Sequence, residues 1–193
     1  MAKKHNIHIL RLLLSNKKKQ FTIREISKQT SIDYKTVHVA IQNLSSSNTI
    51  EAKKIGQTTL CSLNLKKFTE EIYVAEYSRT QDLLKNKSFN SLMSYFENLE
   101  PFFIMLLFGS YASGKQRKSS DIDLMLITDN EKMKIEITQI ISLIPLDIHF
   151  LHFTTKEYLD MLKTTQFNVG KEAFYNNIII FGIEDYYRMI KNA

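Results

Sequence analysis

The stretch that decides the fold covers residues 102–127 and reads FFIMLLFGSYASGKQRKSSDIDLMLI. Its first seven residues, 102–108, are all apolar, which is typical of a strand that is covered on both faces. The apolar run stops at Gly109, and a polar loop then leads to Asp121 and Asp123. These two aspartates are two residues apart and flanked by apolar residues. The spacing predicts a second strand with both carboxylates on one face.

Two carboxylates side by side repel each other, and the arrangement is costly unless a cation lies between them. Mg²⁺ is the expected ion, because it prefers oxygen ligands and often bridges to phosphate. At the start of the loop, Gly109 allows a phosphate to approach the backbone, and Ser110 is expected to open a helix whose free N–H groups bind it. The sequence therefore predicts a phosphate cradle beside a metal-binding carboxylate pair.

The combination of Gly109-Ser110, ten further residues and Asp121-Ile122-Asp123 resembles the signature of the DNA polymerase beta-like nucleotidyltransferases, in particular of their minimal prokaryotic members. That family needs a third carboxylate on a later strand, and Asp147 in the alternating run 146–150 matches it. The resemblance implies two Mg²⁺ ions held by these three aspartates, an NTP substrate (expected to be ATP), and attack on the α-phosphorus. The alternative is an exposed Asp-x-Asp in an unrelated α/β domain.

Further polar residues belong to the predicted site. Ser120 matches the family pattern and is assigned, with Gly109, Ser110 and Lys115, to nucleotide binding. The basic side chains of the loop 115–118 either neutralise the triphosphate or form a solvated surface. His149 follows Asp147 by two residues and is expected on the same face, where a structural role is favoured over catalysis.

The basic charge of the chain is concentrated at its N-terminal end. The net charge is +6, with 12 Lys and Arg against 3 Asp and Glu in residues 1–66, and 14 against 17 in residues 67–193. A length of 193 residues suits two small domains. The charge asymmetry predicts that the first of them binds a polyanion, although a solvated lysine surface is the alternative.

The N-terminal pattern is three helices followed by two short strands. Helical periodicity covers residues 5–15, a capping box at Thr22–Glu25 opens a short second helix, and a third helix follows. Two strand-like runs joined around Gly56 come next. This order resembles the winged helix-turn-helix family over about residues 5–65. The resemblance implies that the third helix enters the DNA major groove and that the wing contacts phosphate. The predicted DNA-binding residues are Tyr34, Lys35, Thr36, His38, Gln42, Asn43, Lys53 and Lys54. The alternative is a domain for protein contacts or dimerisation.

Composition bears on disulfides, zinc binding and membrane insertion. A single cysteine, Cys61, excludes an intrachain disulfide and a cysteine-based zinc site, and its apolar neighbours predict a strand residue rather than a reactive thiol. No run approaches the roughly 20 apolar residues of a membrane span. The first 19 residues lack a signal-peptide cleavage site. We therefore expect a cytoplasmic protein, with monomer and homodimer both open.

The sequence thus predicts an α+β protein in three parts. These are a winged helix over residues 1–66, a helical connector over 67–100, and a nucleotidyltransferase domain with a mixed β-sheet flanked by helices over 101–193. The expected activity is transfer of AMP to an acceptor. Similarity to antitoxin-type minimal nucleotidyltransferases implies a partner protein, such as a HEPN-type toxin. The alternative is a transcriptional regulator whose nucleotidyltransferase fold senses a nucleotide or binds a partner without turnover.

Overall fold

The computed structural model describes residues 2–96, 98–99, 103–117 and 119–191. The chain divides into two compact units, Met1–Glu76 and Tyr77–Ala193, each with helices and a β-sheet. The predicted mixed α+β class is therefore confirmed. The division falls inside the segment that the sequence assigns to a connector. Across the described ranges, no helix combines the length and the apolar character that crossing a bilayer requires.

The first unit contains three helices and a small antiparallel sheet with the strand order β1-β3-β2. Its elements are α1 (Ala2–Leu14), β1 (Phe21–Thr22), α2 (Ile23–Thr30), α3 (Tyr34–Ser46), β2 (Ile50–Ile55) and β3 (Thr58–Leu63). The three helices and the β2–β3 hairpin lie where the sequence pattern predicts them. The two-residue strand β1 was not predicted, since a run this short carries no periodicity.

Local sequence sets the helix ends of this unit. The predicted capping box forms, because the N–H of Glu25 donates to Thr22 Oγ1 at 3.1 Å and the N–H of Thr22 donates to Glu25 Oε2 at 2.7 Å. The N–H of Thr36 donates to Asp33 Oδ1 at 2.9 Å and starts α3. The buried face of α3 consists of Val37, Ala40, Ile41 and Leu44.

The second unit is built on a four-stranded mixed sheet with the order β6-β5-β4-β7. Helix α4 (Glu70–Leu84) begins in the first unit and ends in the second. The remaining elements are α5 (Lys87–Ser94), β4 (Ile104–Phe108), α6 (Gly109–Ala112), β5 (Ile122–Ile127), α7 (Glu131–Leu143), β6 (Ile148–Phe153), α8 (Thr155–Lys163), α9 (Val169–Tyr175), β7 (Asn177–Phe181) and α10 (Ile183–Ile190). Strands β5 and β6 are parallel, and the other pairs are antiparallel.

The central strands β4 and β5 are the buried part of the sheet. Leu107 and Leu124 are register partners, and they share one apolar cluster with Leu92 of α5 and Ile137 of α7. Since side chains alternate along a strand, Asp123 faces the opposite side of the sheet. The core thus fixes the face on which the predicted carboxylates lie.

Several element boundaries differ from the predictions. Helix α5 ends at Ser94, before the end of the predicted helical connector, because the N–H groups of Tyr95 and Phe96 donate to carbonyls three residues back and tighten the chain into turns. Strand β4 begins at Ile104, and the predicted first strand residue, Phe102, lies outside the described residues. Helices α7 and α9 were not predicted from the sequence.

Candidate active site

Gly109 forms the sharp turn between the end of β4 and α6. Its φ of +66° lies in the left-handed region, and a Cβ on this residue would collide with Asp123 Oδ2. Phe108 and Asp123 are register partners, so the turn at Gly109 passes directly over the Asp123 carboxylate. Both the backbone conformation and the close approach require glycine at this position.

Asp123 also contacts the neighbouring strand. It is the register partner of His149 in the parallel β5–β6 pair, and His149 Nδ1 lies 3.0 Å from Asp123 Oδ1. An ionised carboxylate only accepts hydrogen bonds, so Nδ1 carries the proton and donates. The side chain of Asp123 is 23% exposed and that of His149 is 53% exposed. The predicted position of His149 on the carboxylate face is confirmed.

Asp121 and Asp147 occupy matching positions at the start of their strands. Each directly precedes one member of the register pair Ile122–Ile148, and the N–H of Ile122 donates to the carbonyl of Asp147 at 2.9 Å. Both aspartates are exposed. Strand β6 begins at Ile148, two residues after the start of the predicted run 146–150, so Asp147 leads into the strand rather than lying within it. The three predicted aspartates therefore lie at the start of two neighbouring strands, and their register places them on one face of the sheet.

The carboxylates suit a hard divalent cation by chemistry, because they offer oxygen ligands on exposed and half-buried side chains at one strand end. In their present positions, however, the described residues include no group of three His, Cys, Asp or Glu side chains close enough to hold a metal ion. The hydrogen bond from His149 engages one oxygen of Asp123. The three aspartates offer the oxygen ligands that Mg²⁺ prefers, but among the described residues their side chains do not form a ligand cluster.

The predicted phosphate cradle is a single helical turn. Helix α6 begins at Gly109, one residue earlier than expected, and has four residues. The residue before it, Phe108, supplies no side-chain acceptor to the first N–H groups. Ser113 Oγ donates to the carbonyls of Gly109 and Ser110 at 3.0 and 3.1 Å, which stabilises the turn from its other end. A phosphate would therefore be bound by local N–H groups rather than by the dipole of a long helix.

The loop between cradle and carboxylates is closed by Ser120, whose Oγ accepts the N–H of Arg117 at 2.8 Å. Ser120 is one of the predicted nucleotide-binding residues, and its hydroxyl holds the loop that leads into Asp121. The side chains of Lys115 and Arg117 are exposed, and Lys118 lies outside the described residues. Lys115 also anchors the cradle, because its N–H donates to the carbonyl of Ser110 at 2.9 Å.

Two site residues were missed by sequence reasoning. Ser113 has only a weak signal, since serine is common in loops. Tyr111 packs edge-to-face on Phe89 of α5, with ring centroids 5.3 Å apart and planes at 76°. This contact fixes the cradle to the core. The signal for it was an apolar residue that follows Gly109-Ser110 in an otherwise polar loop.

The predicted DNA-binding residues lie together on the surface of the first unit. Seven are exposed, and Thr36 is half-buried at the start of α3. Tyr34, His38 and Lys54 line one groove of about 530 Å³ between α3 and the β2–β3 hairpin. Arg24 lines the same groove and was not predicted, because its position in α2 gave no sign that it faces α3.

The comparisons with known proteins agree with the geometry of the second unit. Residues 90–185 match the family model described as Polymerase beta, Nucleotidyltransferase. The matched segment contains Gly109, Ser110 and all three aspartates, which supports a nucleotidyltransferase domain in the second unit. No curated protein and no solved structure gives a match.

Proposed function

We propose that this protein transfers AMP from ATP to a hydroxyl group of a partner protein. The observation that carries the proposal is that Asp121, Asp123 and Asp147 lie on one face at the start of β5 and β6, while the turn at Gly109 passes over the Asp123 carboxylate. A phosphate cradle and three carboxylates are the parts that nucleotidyl transfer requires. The family match over residues 90–185 supports the reaction class.

In this mechanism the acceptor oxygen attacks the α-phosphorus, the bond from phosphorus to the α,β-bridging oxygen breaks, and pyrophosphate leaves with the electron pair. The N–H groups at Gly109 and Ser110 hold the triphosphate, and Lys115 neutralises part of its charge. Asp121, Asp123 and Asp147 would hold the divalent metal, and Asp147, at the exposed start of β6, accepts the hydroxyl proton. The protein contributes positioning and charge stabilisation.

A divalent metal, for which Mg²⁺ is the fitting ion, would offset the triphosphate charge and make the acceptor hydroxyl more acidic when bound. His149 positions Asp123 by donating to Oδ1, and it leaves Oδ2 directed at Gly109. The chain thereby holds one carboxylate in a defined orientation before any ligand binds.

A protein acceptor is supported by the openness of the site. Asp121 and Asp147 are exposed, so a macromolecular surface can reach the carboxylates without entering a deep pocket. The minimal nucleotidyltransferases that the signature resembles act as antitoxins, and a HEPN-type toxin is the acceptor we propose.

We further propose that the first unit is a winged helix that binds DNA. The support is its basic charge, with 12 Lys and Arg against 3 Asp and Glu in residues 1–66. The exposed polar face of α3 and the groove beside the hairpin add to this support. Phosphate contacts by lysines position such a domain, and side chains on α3 read base edges.

A transfer assay tests the catalytic proposal. The protein is incubated with MgCl₂, cell lysate and each α-³²P-labelled NTP in turn, because the α-phosphate stays with the product. A labelled protein band is expected with ATP, and the double variant Asp121→Asn/Asp123→Asn should abolish it. Asp160→Asn, an exposed carboxylate change on α8 of the same unit, is the matched control and should leave labelling unchanged.

The basic charge of the first unit and the exposed polar residues of α3 favour a second candidate, a transcriptional regulator without turnover. Under that alternative, folded protein labels no acceptor with any NTP, although it still shifts genomic DNA in a gel. Labelling that depends on Asp121 and Asp123 would reject it.

A further inference from the structure

The two edges of the four-stranded sheet differ in their backbone hydrogen bonds. At the β7 edge, the Arg79 guanidinium donates to the carbonyl of Asn177, and Thr80 Oγ1 donates to the carbonyl of Ile179 at 2.8 Å. Both donors belong to α4, and they occupy carbonyls that would otherwise accept from an added strand. Strand β6 forms the opposite edge of the same sheet.

The backbone groups of β6 point alternately toward and away from β5. The carbonyls of Asp147 and Phe153 accept the N–H groups of Ile122 and Thr128 at 2.9 and 3.1 Å, so the odd-numbered residues face β5. The even-numbered residues therefore direct their N–H and C=O groups away from the sheet. These outward residues are Ile148, Phe150 and His152. Within the described ranges, no backbone bond outside helices and sheet ladders involves them.

Strand β6 also lacks the sequence features that keep an edge unpaired. Its six residues, IHFLHF, contain no proline, glycine or lysine. Native proteins commonly protect a free edge with such residues, with a bulge, or with side chains like those at the β7 edge. An unprotected edge of this length is therefore suited to pairing with another polypeptide strand.

We propose that an extended segment of the acceptor protein docks on β6 as a fifth strand and thereby brings its hydroxyl side chain to Asp147. The role of the docked segment as acceptor rests on the proposed function. The docking itself rests on the outward residues of β6, whose main-chain donors and acceptors are complementary to an extended polypeptide. One main-chain hydrogen bond changes affinity by about tenfold or less, so the affinity comes from the whole strand.

The free edge of β6 lies beside Asp147, and this position favours a segment of the acceptor protein over other binding partners. Asp147 leads directly into β6, and His149 is two residues further along the carboxylate face. Side chains directly opposite each other in paired strands have Cβ atoms about 5 Å apart. A Tyr, Ser or Thr that pairs beside Asp147 therefore presents its hydroxyl to the site, whereas a nucleic acid has no repeating N–H and C=O groups to pair with the edge.

His152 allows the edge to be tested without altering the site. Its side chain is exposed, and its N–H points outward, so His152→Pro removes one edge donor while the β5–β6 hydrogen bonds remain. His152→Ala removes the same side chain and keeps the N–H, which makes it the matched control. Circular dichroism and a urea melt of both variants establish that each is folded.

The probe is a phage-displayed library of random peptides of roughly 12 residues, long enough to span β6 in extended form. The full-length protein is expected to enrich peptides that bind His152→Ala about as tightly as the original chain and bind His152→Pro about tenfold more weakly. N-methylation at alternate residues of an enriched peptide should abolish binding, and this test does not depend on how any protein variant folds.

Several results would overturn the proposal. These are no enriched peptide, binding that is insensitive to both His152→Pro and peptide N-methylation, or a protein dimer in light scattering that His152→Pro dissociates. The last result would assign the edge to a second copy of the chain.

Enriched peptides that contain a hydroxyl residue are then incubated with α-³²P ATP. Edge-dependent binding without label would reject the acceptor role of the docked segment, whereas the lysate assay with labelled ATP decides separately whether the protein is a transferase.

Discussion

Gly109 approaches Asp123 so closely that a side chain on residue 109 would collide with the carboxylate oxygen Oδ2. The glycine also has a φ of +66°, which other residues adopt only at a cost. The signature glycine thus has two physical tasks, which are to turn the chain and to leave space for the carboxylate beneath it. The two tasks can be separated by mutation.

Gly109→Ala is expected to lower the free energy of unfolding by about 2–4 kcal/mol, because backbone strain adds to displacement of Asp123. Gly114→Ala is the matched control, since Gly114 has a φ of +68° and open space around the added Cβ. It should cost about 1 kcal/mol, from strain alone. Urea denaturation measures both. Equal losses for the two variants would show that contact with Asp123 has no energetic consequence.

We expect Gly109→Ala also to abolish the proposed transfer, and Gly114→Ala to retain it.

Much of this site was predictable because its parts are close in sequence. The signature from Gly109 to Asp123 gives the turn, the strand and the carboxylate face, and the alternation around Asp147 gives the next strand. What the sequence could not give are contacts between distant segments. The donation of Arg79 and Thr80 to the β7 edge joins residues nearly a hundred positions apart. No local pattern encodes a contact of that kind.

Two further differences between sequence and structure have physical causes. Nothing in the sequence indicates that the Ser120 hydroxyl accepts the N–H of Arg117, because a turn of this kind carries no residue pattern. Helix α7 was not predicted because Ile135 and Leu143 are exposed apolar residues, which blur the helical pattern.

The hydrogen bond from Thr80 to the carbonyl of Ile179 in β7 is expected to stabilise the folded protein measurably. Thr80→Val keeps the shape of the side chain but leaves the buried carbonyl of Ile179 without its donor. The expected loss is about 1–3 kcal/mol in the free energy of unfolding. Thr138→Val in α7 is the control, because Thr138 is exposed and its hydroxyl donates only within its own helix. A loss no greater than that of Thr138→Val would mean that solvent or another group replaces the Thr80 hydroxyl.

The proposed winged helix predicts a salt-dependent affinity for DNA. Lys35→Ala and Lys54→Ala should each weaken binding, and each should reduce the slope of log affinity against log salt by about 1, if the lysine contacts a phosphate. Fluorescence anisotropy with a labelled duplex at several salt concentrations gives the slope. Lys156→Ala removes the same charge from an exposed position on α8 and should leave the slope unchanged. A uniform fall for all three variants would indicate attraction by net charge alone.

Cys61 provides a reporter of opening in the first unit. The thiol is fully buried in β3, and burial raises the pKa of Cys61 to about 11. Since the thiolate is the reactive form, the native protein should react with Ellman's reagent at pH 8 far more slowly than the urea-unfolded chain. Rapid modification of the native protein would show that the β1–β3–β2 sheet opens readily. Because Cys61 is the single cysteine of the chain, the absorbance change reports this site alone.

The same shift predicts how stability depends on pH. An unfolded cysteine has a pKa of about 8.5, whereas the folded thiol keeps its proton to about pH 11. Between these values the unfolded state binds fewer protons, so the free energy of unfolding falls as pH rises, by at most about 1.4 kcal/mol per pH unit. Cys61→Ala lacks this titration, and subtracting its urea stability at pH 8 and pH 10 removes the effect of lysines and tyrosines. Parallel pH profiles for the two proteins would show that the buried thiol does not resist ionisation.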